Sequence, residues 1–445
     1  MPYRNIHLHP VLRLVYFILR TLGWLGVSVF YRRRIVLGEA NFRFDGPAIV
    51  ITNHPSTLLD VFNPGIQVRQ EMFFLANYGL FRHPVSRWVF TQLFCIPVKR
   101  REDVAEGESR DNNAAFEQSF RHLEQNGVLF IAAEGTSWMN RWVREFKTGT
   151  ARIAFGVEAR NDWKKDVKII PVGLTYSAPN LFRSDVVVHA GEPVYVREWS
   201  GDWQQNPEKA IETLTAELQR RVTALTVHTR DESGEQFIGR IETILDNSEP
   251  LPLQESFFRI KKIAETELDN EALIEKTTRY FENLQKEGLT DRGLRACTTS
   301  GAGVQALTDA LGIVIGFIPF AIGYTCWFLP CFLPWLLNNR LHLYIGYSST
   351  VKILAGLITF PLGLWMVYRL VSGLPGLEHS GPLALILMIA LGFFAERYAE
   401  ITRRFWERLK AWRFAANQHE AFDQLAALRN AILMQLNIGQ EEAVY

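Results

Sequence analysis

Between residues 35 and 200, short apolar runs rich in β-branched and aromatic side chains alternate with stretches whose apolar positions recur every three or four residues. The runs are IVLGEANF, AIVITNH, MFFLANYG, CIPVKR, GVLFIAAEG, KIIPVGLTY and VVVHAGEPVYV, and their bounding Gly, Pro, Asn and Asp residues mark them as strands. Helical spacing is clearest from Asn113 to Glu124 and from Thr150 to Glu158, before and after GVLFIAAEG. Strands alternating with helices predict an α/β layer arrangement in which functional loops gather at strand ends.

From about residue 204 to 295 the chain becomes charge-laced and helical, with a break between Asn247 and Pro252. This is a helical connector that either packs on the α/β layer or folds as an antiparallel hairpin. After Gly301 the pattern changes again. Leu311 to Leu336 holds no charged residue, Ile353 to Tyr368 is uncharged between Lys352 and Arg369, and Pro382 to Phe394 is a shorter apolar run. A helix needs about 20 residues to span a bilayer, so the first run is long enough and the third borrows neighbours such as Ala395. Membrane insertion is expected, with a buried helical core as the alternative.

At the other end, Val11 to Phe30 is interrupted by Arg13 and Arg20 and followed by Tyr31-Arg32-Arg33-Arg34. No small-residue cleavage site follows, so it reads as an interfacial helix retained on the chain and not as a secretory signal. A core-packing helix with snorkelling arginines is the other reading. The stretch Glu396 to Ala415 carries Arg397, Arg403, Arg404, Arg408, Lys410 and Arg413, which places that tail in the cytoplasm. A catalytic domain on the same face requires an even number of crossings, against three candidate segments. Either one of them is re-entrant, or Pro319, Pro330 and Pro334 divide the first into a hairpin.

Composition narrows the function classes. The 48 Lys and Arg residues against 47 Asp and Glu leave a net charge of +1, so no global field argues for nucleic acid. Cys95, Cys297, Cys326 and Cys331 have no paired spacing, which fits neither a disulfide framework nor a zinc site and suits a reducing compartment. No metal site is expected, no serine-hydrolase elbow is present, and Lys147-Thr148-Gly149-Thr150 lacks the spacing of a nucleotide phosphate loop.

The candidate chemistry starts at VITNHPSTLLD, residues 50–60. His54 directly after a strand run, with Asp60 six positions on, has the makings of a general base whose tautomer a carboxylate fixes. The same stretch contains Thr57-Leu58-Leu59-Asp60, the form of a capping box, in which Thr57 and Asp60 open a helix and His54 ends a strand. Alone, the stretch leaves both readings open.

NHPSTLLD is followed by CIPVKR at 95–100, AAEGTS at 132–137, FKTGTARIA at 146–154 and IIPVGLTY at 169–176. In order and spacing this resembles the blocks of the glycerolipid acyltransferase family, over about residues 35–200. The resemblance implies an α/β acyltransferase domain, a mixed sheet flanked by helices. It makes His54 the general base and Asp60 its partner, next to Asn53. Arg100, flanked by Lys99 and Arg101, holds the acceptor's phosphate; Glu134, Gly135 and Thr136, with Lys147 after them, bind the acceptor; Pro171 belongs to the donor side of the site. Two departures stand out. Five residues separate His54 from Asp60 where four are usual, a spacing similar to that of fungal-type glycerol-3-phosphate acyltransferases, and the turn at Pro55 is expected to absorb the extra one. Ser137 stands where the third block has arginine, leaving Arg141, Arg144 or Lys147 to replace it.

The expected organisation is therefore an interfacial helix (1–34), a catalytic domain (35–200), a helical connector (201–300), membrane segments (301–396) and a basic amphipathic tail (397–445). The expected activity is transfer of a fatty acyl group from acyl-CoA or acyl carrier protein to glycerol-3-phosphate or 1-acyl-glycerol-3-phosphate. It needs no cofactor, and the catalytic domain lies on the cytoplasmic face of the membrane. Another lysolipid acceptor, or a non-catalytic lipid-binding scaffold with the same fold, is the alternative.

Overall fold

The computed structural model describes residues 9–92, 94–100, 111–298, 301–341 and 344–437. It divides into two compact units, Met1–His228 with Leu343–Thr350, and Thr229–His342 with Val351–Tyr445.

The first unit is built on a mixed sheet of β1 (Arg33–Leu37), β2 (Ala48–Thr52), β3 (Met72–Asn77), β4 (Cys95–Val98), β5 (Val128–Ala132), β6 (Lys168–Tyr176), β7 (Asp185–Ala190) and β8 (Val194–Tyr195). The strand order is β1-β7-β6-β2-β5-β3-β4, with β8 beside the start of β6. Strands β6, β2, β5, β3 and β4 run parallel, so their carboxyl ends lie along one edge. The return strand β7 is antiparallel to β6. The run VVVHAGEPVYV thus becomes two strands, β7 and β8, separated at Gly191–Pro193.

Central β2 is buried along its whole length, because parallel sheets carry helices on both faces. Ile49 and Ile51 point to a core shared with Leu129, Ile131 and Ile169, closed by α4 (Asn113–Glu124), α5 (Gly149–Arg160) and α7 (Pro207–Ala224). Through Ile211, Leu214, Leu218 and Val222, α7 packs on this layer, which is one of the two arrangements open to the start of the connector. Short α6 (Ser200–Gln205) leads into it. Helices α1 (Pro10–Phe30) and α2 (Leu58–Gly65) lie together, Gly23 meeting the Phe62 ring so closely that an added Cβ would sit 3.2 Å from it. Arg20 donates to the Ile66 carbonyl at 2.8 Å and Arg13 pairs with Glu71 at 3.8 Å, while Phe17, Leu14 and Trp24 stay exposed. Helix α3 (Pro84–Gln92) precedes β4.

The second unit is helical throughout its described residues: α8 (Glu232–Ser248), α9 (Leu253–Thr266), α10 (Glu271–Lys286), α11 (Asp291–Thr298), α12 (Ala302–Leu341), α13 (Ser348–Ser372, of which residues from 351 belong here), α14 (Gly381–Asn417) and α15 (His419–Asn437). Among the described residues, four helical stretches are long and apolar enough to cross a membrane: Pro10–Phe30, Ala302–Leu341, Ile345–Ser372 and Gly381–Asn417.

The proline division of the first apolar stretch does not occur. Helix α12 runs unbroken through Pro319, Pro330 and Pro334. Proline removes an intrahelical donor and frees the carbonyl four residues back. The carbonyl that Pro334 frees is that of Pro330, and the Thr359 hydroxyl donates to it at 2.9 Å. A neighbouring helix re-satisfies the backbone, as apolar surroundings demand. Small residues bring the helices close. A Cβ on Gly363 would lie 2.5 Å from Pro330, and one on Gly323 2.5 Å from the Leu391 carbonyl. The arginine-rich stretch also continues the helix of the last apolar run, and within it Arg408 is buried against Asp309 at 2.9 Å.

Candidate active site

The parallel strands deliver the candidate residues to their common carboxyl edge. The first after β2 is Asn53, whose Nδ2 donates to the Leu174 carbonyl at 2.9 Å and whose Oδ1 accepts from the Leu174 amide at 2.8 Å. Its amide continues the β2–β6 ladder by one step, so both polar atoms of Asn53 are spent on the fold.

His54 is held at three points. Its amide donates to Glu134 Oε1 at 3.2 Å, its carbonyl accepts from the Trp138 amide at 3.0 Å, and Nδ1 lies 2.9 Å from Asp60 Oδ2. Asp60 is fully buried, whereas the imidazole keeps 18% of its surface exposed. A buried carboxylate requires donors, and Asp60 has three. Oδ2 also accepts from the Ser56 amide at 2.6 Å, and Oδ1 from the Tyr176 hydroxyl at 2.7 Å. Burial first, and then the charge of Asp60, keep the Tyr176 phenol well above its ordinary pKa, so it remains a donor. Behind Tyr176, Asn63 Nδ2 donates to the tyrosine oxygen at 3.1 Å, and Arg34 grips Asn63 through its side-chain and main-chain oxygens, both at 3.0 Å. With the Nδ1 proton directed at Asp60, the imidazole lone pair is on Nε2.

The turn differs from the expected one. Thr57 makes no side-chain cap of α2 and Asp60 bonds the amide of Ser56, so no capping box forms. Thr57 has a φ of 46°, in the left-handed region, within the five-residue stretch that separates His54 from Asp60. A non-glycine residue held there costs about 1–3 kcal/mol and persists only when its surroundings fix it. Asp60 consequently faces back across the turn to His54 from the first turn of α2.

Glu134 follows β5 and is buried. Burial pushes its carboxyl up to about 8, against the amides of His54 and Arg144, which favour the charged form. Gly135, at φ 77°, turns the chain sharply after it. From the end of β4, Arg100 donates to the Gly135 carbonyl and to Thr136 Oγ1, both at 3.3 Å. Lys99 is fixed by its backbone, which exchanges two 2.9 Å hydrogen bonds with the Asn112 side chain, and its ammonium lies 5.4 Å from the centre of the Tyr78 ring. Arg101 lies outside the described residues. Of the cations that follow Ser137, Arg144 stacks on Trp142 at 3.5 Å and on Trp138 at 4.8 Å. Lys147 is anchored by its amide to the Ala133 carbonyl at 2.8 Å with its side chain exposed. Pro171 is buried in β6 opposite Ile51, and its carbonyl accepts from the Gly191 amide at 2.8 Å.

His54, Asp60, Glu134, Gly135, Thr136 and Arg100 thus converge, while Asn53 and Pro171 serve the sheet beneath them. Tyr176, Asn63, Arg34 and Ser56 complete the cluster. The motif blocks do not single them out, although Tyr176 closes IIPVGLTY. Among the described residues no group of His, Cys, Asp and Glu side chains could hold a metal. The arrangement is suited to removing a proton from a polar ligand at Nε2 beside a cationic rim.

Comparison with known proteins finds similarity over the same part of the chain. Residues 33–175 match the Acyltransferase family model. Over 125 residues the chain is 30% identical to glycerol-3-phosphate O-acyltransferase 2 of Saccharomyces cerevisiae, covering 28% of this chain and 17% of that protein. It is 25% identical over 182 residues to the chloroplastic 1-acyl-sn-glycerol-3-phosphate acyltransferase BAT2 of Brassica napus, covering 39% of this chain and 48% of the relative. The chain therefore spans less than half the length of each of these relatives. The crystal structure of the 1-acyl-sn-glycerophosphate acyltransferase PlsC of Thermotoga maritima superposes with a TM-score of 0.36 at 18% identity, over 49% of this chain and 82% of that one. The stretch similar to the Acyltransferase family, residues 33–175, is the one that carries the His54–Asp60 pair and the edge around it.

Proposed function

We propose that the protein transfers a fatty acyl group from an acyl thioester to a hydroxyl of glycerol-3-phosphate or 1-acyl-glycerol-3-phosphate, in the synthesis of phosphatidic acid. The observation that carries this reading is the 2.9 Å hydrogen bond from His54 Nδ1 to buried Asp60, which leaves Nε2 to receive a proton. In the proposed step Nε2 takes the hydroxyl proton as the oxygen attacks the thioester carbonyl. The buried carboxylate stabilises the imidazolium so formed. Collapse of the tetrahedral intermediate expels the thiolate, which recovers the proton from His54. Backbone donors near Gly135 stabilise the charge on the carbonyl oxygen.

Arg100 beside Gly135 and Thr136, with Lys99 next to it in sequence and Arg144 on the loop after Ser137, supplies a phosphate-binding rim for the acceptor. The likeness to glycerol-3-phosphate O-acyltransferase 2 of Saccharomyces cerevisiae and the five-residue spacing favour glycerol-3-phosphate over the lysolipid. The donor is acyl-CoA or acyl carrier protein. The apolar helices suit a product that partitions into the bilayer, and the arginines near the end of α14 favour a cytoplasmic position for that end; with α12 unbroken, a catalytic unit on the cytoplasmic face requires one apolar segment to be re-entrant.

The test uses the full chain in phospholipid nanodiscs, offering labelled acyl-CoA or acyl carrier protein with each acceptor. Transfer is expected in the wild type, and His54→Ala should lower kcat by about 100- to 10,000-fold without changing membrane association or melting. Transfer that survives the substitution removes His54 as the base. A wild type inactive with every acceptor overturns the assignment in favour of a lipid-binding scaffold.

A further inference from the structure

In the catalytic turn the amide of Ser56 donates to Asp60 and Thr57 takes the left-handed conformation. Their side chains face elsewhere, toward a segment almost 300 positions further along the chain. Tyr344–Thr350 belongs to the first unit, although the sequence on either side of it belongs to the second. It forms a single 3₁₀ turn and the first residues of α13. Ser56 Oγ lies 3.2 Å from the Pro179 carbonyl and 3.0 Å from Ser349 Oγ. Thr57 Oγ1 lies 3.2 Å from the Gly346 carbonyl and 2.8 Å from Thr350 Oγ1. Ser56, Thr57 and Ser349 are all buried.

Each hydroxyl has one proton, which settles the directions. Ser56 gives its proton to the Pro179 carbonyl and Thr57 gives its own to the Gly346 carbonyl. Ser349 must then donate to Ser56, and Thr350 to Thr57. The segment is therefore a strap with two donors and an acceptor directed at the two residues that make the turn.

We propose that Ser349 and Thr350 are positioning residues for the acyl-transfer site, holding the Ser56–Thr57 turn from the side away from Asp60; this rests on the acyl-transfer reading. Thr57 does not cap α2 with its own hydroxyl; that hydroxyl is spent on the strap. The strap fixes Thr57 from outside. When Thr57 relaxes, the amide of Ser56 leaves Asp60 Oδ2, and the five-residue spacing no longer directs the carboxylate at His54. The loop between two long apolar helices is thereby a structural part of the catalytic turn.

The experiment compares full-length wild type, Thr350→Val, Ser349→Ala, the double variant and Thr350→Ser in nanodiscs. The readouts are kcat, KM for donor and acceptor, and hydrogen exchange of the peptide 54–60 against that of β5. A lost hydrogen bond corresponds to about a tenfold rate effect. We expect Thr350→Val to lower kcat about tenfold and the double variant more, with both KM values unchanged. Thr350→Ser, which keeps the hydroxyl, should stay within about twofold of wild type. Exchange at 54–60 should accelerate in Thr350→Val and in the double variant, with β5 unaffected. The proposal is overturned if exchange at 54–60 does not change in those variants, if an active protein keeps its kcat without both hydroxyls, or if Thr350→Ser is as damaging as Thr350→Val. A wild type that transfers no acyl group refutes the acyl-transfer reading, while the exchange measurement still judges the strap.

Discussion

The two units each bury an aspartate beside a tyrosine, and the contrast between them separates the proposed reactive centre from a structural one. In the first unit Asp60 accepts from Tyr176, the Ser56 amide and His54. In the second, Asp291 accepts from Tyr280 at 2.6 Å, from Asn247 at 2.9 Å and from Arg429 at 2.7 and 3.1 Å. Both carboxylates solve the burial problem with converging donors. The nitrogen-bearing partner differs. Arg429 is buried and permanently charged, and it also donates to the Ile244 carbonyl and to Ser248 Oγ, so the cluster ties α8, α10, α11 and α15 together. His54 commits one ring nitrogen to Asp60 and, in the proposed reaction, uses the other on the acceptor, at a partly exposed strand end. Similar burial thus serves cohesion in one place and, in the reaction we propose, proton transfer in the other.

This contrast is broken most strongly at the charged partners. Asp60→Asn should reduce kcat by about 100- to 10,000-fold, with a small change in melting temperature. Arg429→Met leaves Asp291 buried without its cation and should cost about 3–5 kcal/mol of stability, read from denaturant midpoints, with kcat per folded molecule retained. An exchange of these outcomes would mean that the two clusters have been assigned the wrong way round. The tyrosines give a smaller version of the same test. Tyr176→Phe should lower kcat about tenfold, whereas Tyr280→Phe should remove about 1–3 kcal/mol of stability and spare turnover.

The finest test is pH. The Glu134 carboxyl has an ordinary pKa of 4.5 in the open chain and is pushed up to about 8 in the fold. The folded state therefore binds this proton more tightly, and stability falls as pH rises between those values, then levels off above the higher one. Glu134→Gln should abolish that slope. The wild-type-minus-variant difference in unfolding free energy, measured from pH 5 to 9, should decline with pH, and a flat difference would show that Glu134 keeps an ordinary affinity for its proton.

Local patterning made most of the fold legible. Helix Asn113–Glu124 appears with the bounds its periodicity suggests, and every strand run contains a strand, because burial on both faces leaves a continuous apolar signal. The motif also places His54 and Asp60 in one turn. What it could not show is how the turn closes. The φ of Thr57 is sustained by contacts with residues 346 and 350, and the support behind Asp60 reaches through Tyr176 and Asn63 to Arg34. Such partners have no fixed spacing along a chain. Likewise, three prolines in an apolar run argue for a break until a neighbouring Thr359 supplies the missing hydrogen bond.

Asn53 and His54 stand side by side in the motif yet answer to different demands. The carboxamide of Asn53 presents one donor and one acceptor to the main chain of Leu174, behaving as a short length of borrowed backbone. An aspartate there would set two acceptors against a pair that needs a donor as well, and a glutamine would overreach by a methylene. A library selected for folding alone would thus retain the first letter of the pair and release the second.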